Sequence, residues 1–79
     1  MGELTSDKRT LLRATSIIRG ITLNQILELE LYRPRITLQS LISNGWLMPV
    51  IVRVGGPTPV YFLTERGKRW RQVYSEKSL

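Results

Sequence analysis

Residues 33–46 read Arg33-Pro34-Arg35-Ile36-Thr37-Leu38-Gln39-Ser40-Leu41-Ile42-Ser43-Asn44-Gly45-Trp46, and the fold of the whole chain turns on how they are read. Pro34 suits the first turn of a helix, where its missing N–H would have no partner anyway. Gly45 suits the left-handed residue just past a helix end. A helix over about 34–44 follows. With Leu38 set at zero and about 100° per residue, Leu31, Leu41 and Ile42 fall within about 60° of it, so that side belongs in a core. The opposite side carries Ile36, Ser40 and Ser43, flanked by Gln39, Thr37 and Arg33. It is short, polar and mostly uncharged.

Immediately upstream, Ile21-Thr22-Leu23-Asn24-Gln25-Ile26 holds a Thr-x-x-Gln capping box, with Thr22 as cap and Gln25 three residues on. Ile21 and Ile26 occupy the two positions of a hydrophobic staple. Both devices predict a helix from about Leu23 to Glu30, with Leu31 and Tyr32 as the connection to the next. Earlier still, Ser6 or Asp7 can cap a leading helix that Gly20 would stop after Arg19. Its apolar positions Leu11, Leu12, Ala14, Ile17 and Ile18 keep helical spacing, with Lys8, Arg9 and Arg13 outside. Two short helices across a tight turn, behind a longer one, make a helix-turn-helix order. That turn lacks the glycine often found there.

Downstream of Gly45 the period changes. Residues 46–54 are β-branched and apolar around Pro49, a residue acceptable near a strand start or on a sheet edge. Gly55-Gly56-Pro57-Thr58-Pro59 is a turn cluster, and Val60 to Leu63 forms a second strand, giving a hairpin. Thr64 caps a last helix from Glu65 to about Ser75, with Leu63, Trp70, Val73 and Tyr74 near one face. Arg66, Lys68, Arg69 and Arg71 are expected on its solvated remainder. The chain reads as one α+β domain.

Charge narrows the partners. In 79 residues, twelve Lys/Arg face six Asp/Glu, leaving +6 and a sequence pI near 10.6. Nine of those twelve cations are arginine, whose planar fork matches phosphate and guanine. Such an excess favours nucleic acid over an anionic membrane or an acidic protein. No apolar run approaches the ~20 residues of a spanning helix. Cysteine and histidine are both absent, which removes disulfides, thiolate metal sites and the commonest general base. Asp7 is the only aspartate, and Glu28 and Glu30, two apart, do not share a helix face. No phosphate loop, metal-ligand spacing or nucleophile–base pair is present, so neither an enzyme nor a cofactor or metal is expected, and no small-molecule pocket is legible.

Helix, helix, helix, hairpin, helix resembles the winged helix-turn-helix family of DNA-binding domains. The residues that carry the resemblance are Leu38, Leu41, Gly45, Trp46 and Leu47, then Tyr61, Leu63, Thr64 and Gly67 after the hairpin. The second set looks like the strand-to-helix junction of small regulators of the MarR and PadR types. The similarity spans about residues 7–74. It implies a third helix in the major groove of double-stranded DNA and a wing at about 53–60 on the backbone or minor groove. By position it makes Arg33, Arg35, Thr37, Gln39, Ser40 and Ser43 groove-facing. Gln39 suits adenine, and Arg33 or Arg35 suits guanine or a phosphate. Arg53, Gly55, Gly56 and Thr58 fall in the wing.

Each of these residues also has a plainer explanation. Gly55 and Gly56 are first a turn, Trp46 and Trp70 are core or dimer contacts, and the polar residues of helix three are ordinary surface. Ile36 is the exception, because an exposed isoleucine asks for a thymine methyl or a protein surface to cover it. The expectation is a cytoplasmic or nucleoid-associated regulator, homodimeric on two half-sites. The alternatives are a protein-binding winged-helix module and non-specific nucleic-acid binding.

Overall fold

A computed structural model describes residues 4–53, 56 and 58–77. It shows a small α+β arrangement of four helices and a three-stranded antiparallel sheet. The order is α1 (Ser6–Ala14), β1 (Ile21–Thr22), α2 (Leu23–Glu28), α3 (Pro34–Ser43), β2 (Leu47–Val52), β3 (Thr58–Leu63) and α4 (Glu65–Lys77). Strand order across the sheet is β1-β3-β2.

The leading helix is shorter than its sequence suggests. Thr5, not Ser6 or Asp7, is the cap, its hydroxyl accepting from the Lys8 N–H. Helical bonding stops at Ala14. Thr15 turns extended with its side chain fully buried, its hydroxyl donating back to the Leu11 carbonyl at 2.8 Å. Ser16 and Gly20 then bridge, and the turn between them throws Ile17 and Ile18 into solvent, Ile18 being 87% exposed. The competing claim on this stretch is β1, unforeseen in the sequence, which pairs Ile21 with Tyr61 and Thr22 with Val60. Gly20 must enter that pairing at φ 70, and an added Cβ would stand 2.6 Å from the Tyr61 carbonyl. Only glycine meets both demands.

The capping box of α2 forms in full. Thr22 accepts from the Gln25 N–H and Gln25 accepts from the Thr22 N–H. A cap of this kind is worth about 1 kcal/mol. The staple residues Ile21 and Ile26 are both buried. This helix ends at Glu28, two residues early, because Glu30 takes the left-handed conformation (φ 56) that a glycine usually supplies. That choice costs about 1 kcal/mol in a residue with a Cβ.

Leu11, Leu12, Ile21, Ile26, Leu38, Leu41, Trp46, Leu47 and Leu63 make the core. Ile42, Leu31, Tyr61 and Trp70 pack on its rim. In the hairpin, Leu47 stands opposite Leu63 over the helices, while Pro49 opposite Tyr61 and Ile51 opposite Pro59 extend toward its tip. β3 starts at Thr58, two residues before the apolar run suggests, because the pairing closes at Val52↔Thr58. β2 is an edge strand, and Pro49 interrupts the free edge that would otherwise invite a further strand.

Candidate functional site

The hydrogen bonds that finish α3 gather at its C-terminal end. Asn44 caps it, Gly45 is left-handed (φ 78), and two bonds close the end: Gly45 N–H to the Ile42 carbonyl and Trp46 N–H to the Leu41 carbonyl. This is the Schellman pattern, in which orphan carbonyls are satisfied by the residues just past the helix. Arg66 of α4 reinforces it, donating to the Asn44 carbonyl at 2.6 Å with its guanidinium 4.1 Å from the centre of the Trp46 ring. A cation there also complements the negative helix end. Thr64 ties α4 to the same junction. Its hydroxyl contacts the Gly45 and Trp46 carbonyls and accepts from the Gly67 N–H, as an N-terminal helix cap does.

At the opposite end, no side chain caps α3. Arg33 precedes Pro34 in a non-helical conformation, and its guanidinium lies 5.1 Å from the centre of the Tyr32 ring. Tyr32 is 81% exposed, and its backbone N–H donates to Asp7 Oδ2 at 3.1 Å, so α1 anchors the approach to α3. Sequence reasoning treated Tyr32 as mere connection; its exposed ring beside an arginine was the missed signal. A shallow cleft of about 350 Å³ lies between the starts of α1 and α3, lined by Thr5, Lys8, Tyr32, Arg33 and Ile36 among others.

The outward face of α3 brings together most of the residues expected there. Arg33, Arg35, Ile36, Gln39 and Ser43 are exposed, and Ser40 is half-buried with its hydroxyl accepting from the Asn44 side chain. Thr37 is the correction. It is only 7% exposed, set back in the cleft between the starts of α1 and α3, so it offers little surface to a partner. Among the described residues Arg35 has no hydrogen-bond or ion-pair partner. From Leu31 to Thr64 the chain contains no acidic residue, so α3 and the hairpin present cations without competing carboxylates of their own segment.

The hairpin contributes less. Arg53, Gly56 and Thr58 are exposed, and Gly56 is left-handed at φ 107. Gly55 lies outside the described residues.

The basic face expected of α4 is divided. Arg71 is half-buried and donates to the Leu12 and Thr15 carbonyls, closing the C-terminal end of α1. Arg66 serves α3 as above, and Arg13 reaches across from α1 to lie over Trp70 at 5.7 Å. Arg69 and Lys68 remain in solvent, the latter 4.0 Å from Glu65 in an exposed pair of little energetic weight. Sequence spacing had no means of separating these roles, since each depends on a carbonyl or ring brought near by the fold.

No family model matches the chain, and no curated protein or solved structure matches it either. Among the described residues no helix is long and apolar enough to cross a membrane. The site must therefore be read from its own chemistry. Guanidinium groups at one helix end, followed by an amide and a hydroxyl on the same face, can engage phosphates and base edges together.

Proposed function

We propose that this protein binds double-stranded DNA in a sequence-specific manner, as a small transcriptional regulator of the winged helix-turn-helix kind. The observation that carries the proposal is the division of α3 into two faces. Leu38 and Leu41 are buried, while Arg33, Arg35, Gln39 and Ser43 stand exposed on a segment, Leu31 to Thr64, that has no acidic residue of its own. The element order and the strand order β1-β3-β2 support the winged-helix part, with α2 and α3 as the paired helices and β2–β3 as the wing.

On this reading α3 lies in the major groove, and the arginines supply affinity through phosphates, with Arg53 adding a contact from the wing. Gln39, Ser40 and Ser43 supply discrimination at base edges. Thr37 is excluded from that set by burial. A chain of this size covers little DNA, so two copies on adjacent half-sites complete the reading. Catalysis has no part in it.

Binding to random and selected duplexes across a salt series provides the test. Phosphate contacts make affinity fall steeply with salt, and replacing Arg35 and Gln39 by Ala removes the preference for the selected sequence. An unchanged preference in that double variant would remove α3 as the reader.

A second reading has its own observation. Met48, Ile51, Ile17, Ile18 and Val73 are apolar and substantially exposed, as on a protein-binding module. A flat salt response with no retention on DNA would favour it.

A further inference from the structure

Ile36 occupies an unusual place. It is 60% exposed, and it sits on the first turn of a helix whose other exposed residues are polar or charged. With Ile36 at zero and about 100° per residue, Ser43 falls within about 20°, Ser40 near 40°, and Gln39 and Arg33 near 60° to either side. Ile36 is therefore the centre of the outward stripe. Ser43 and Ser40 are short, and Ser40 already bonds to Asn44, so the isoleucine is the tallest uncharged group on the midline.

We infer that Ile36 reads the 5-methyl group of a pyrimidine in the major groove, a deepening that rests on the DNA-binding reading above. An isoleucine neither donates nor accepts a hydrogen bond. Pressed against a guanine, adenine or cytosine edge, it would strip water from polar atoms and return nothing. The methyl at C5 is the one apolar feature a base pair shows in that groove. Burying it against Ile36 removes apolar surface from water on both sides. Gln39, one turn along and about 4.5 Å further up the axis, is placed to hold an adjacent adenine through its amide. Arg33 and Arg35 bracket the contact with positive charge that fixes the backbone register.

The chemistry read is a methyl group on C5, which thymine carries always and cytosine carries when methylated. Duplexes selected from a random pool by the full chain serve as probes, with each thymine replaced in turn by deoxyuridine. At one position per half-site, loss of the methyl weakens the parent about threefold to fivefold, the scale of one buried methyl-sized group. Ile36→Ala, which lies on the surface and leaves the core untouched, loses that dependence, and Ile36→Val keeps most of it. At the same position, tighter binding of 5-methylcytosine than of cytosine shows that the methyl itself is read. Equal binding of the two restricts the contact to thymine. Duplex binding in which uracil is tolerated everywhere, or in which Ile36→Ala remains as methyl-dependent as the parent, overturns this inference alone. Failure to bind any duplex overturns the DNA reading with it. An Ile36→Ala variant that dissociates a dimer while uracil has no effect makes the residue a subunit contact instead.

Discussion

The two ends of α3 are built in opposite ways. Its C-terminal end is closed by a left-handed glycine, two backbone bonds, the Thr64 hydroxyl and an arginine that rests on Trp46. Its N-terminal end has no side-chain cap, and it gathers Arg33 and Arg35 where the helix dipole is already positive. Cations there cost a few tenths of a kcal/mol and satisfy none of the free N–H groups. One end is finished by the fold, and the other is left with its first N–H groups uncapped by any side chain. Local stability and candidate function are thus separated by about three turns of one helix.

The sharpest way to break the comparison is at the closed end. Gly67 leaves no room for a side chain, because a Cβ would lie 2.5 Å from the Trp46 carbonyl and 3.0 Å from Leu63 Cδ2. Gly67→Ala should destabilise by about 3 kcal/mol, the upper range for overpacking, seen as a large drop in the thermal midpoint. A midpoint within a degree or two of the parent would mean that the junction yields easily.

The open end should respond in the opposite sense. Arg33→Ser installs a capping hydroxyl and removes a cation from the positive pole, so stability should rise by about 1 kcal/mol. DNA affinity should fall about tenfold, with a shallower salt slope. A variant that gains stability and keeps full affinity would show that Arg33 takes no part in binding.

Returning to the closed end, Arg66→Ala removes a charge-assisted hydrogen bond and a stacked guanidinium, and should cost about 1 kcal/mol in chemical denaturation. Its neighbour Lys68, with an exposed partner only, should be nearly silent when changed to Ala. A small effect of the opposite sign belongs to the turn before α3. Glu30→Gly relieves a left-handed residue and should stabilise by about 0.5 kcal/mol after the greater freedom of glycine in the unfolded chain is counted.

Much of this design was legible from residue order, for reasons that can be named. Thr22 and Gln25 cap α2 because both ends of the box lie within one turn of each other. Pro34 and Gly45 bound α3 by the backbone angles they allow, and the β-branched, apolar run over residues 46–54 followed by a turn cluster made the hairpin visible. The outward positions of Arg33, Ile36, Gln39 and Ser43 followed from the helical period, whereas the period puts Arg35 about 60° from Leu38 and only the resemblance set it facing outward. Thr37 was misplaced because the same period cannot say how wide a core contact is, and the cleft beside α1 sets this residue back from the surface.

What the order of residues determined by itself is therefore the local grammar: the capping box of α2, the bounds of α3, the change of period at Gly45 and the excess of arginine. These depend on groups within about four residues of one another or on composition. Tertiary structure alone decided that α1 stops at Ala14, that Ile21 and Thr22 become a strand, and that Arg71 turns inward to the Leu12 and Thr15 carbonyls. For the strand and for Arg71 the partner lies about 40 or more residues away along the chain (Tyr61 for Ile21, Val60 for Thr22, Leu12 and Thr15 for Arg71). A helical repeat in residues 15–19 cannot anticipate a sheet edge that exists only once the hairpin has formed, and the paired backbone then outweighs the local preference.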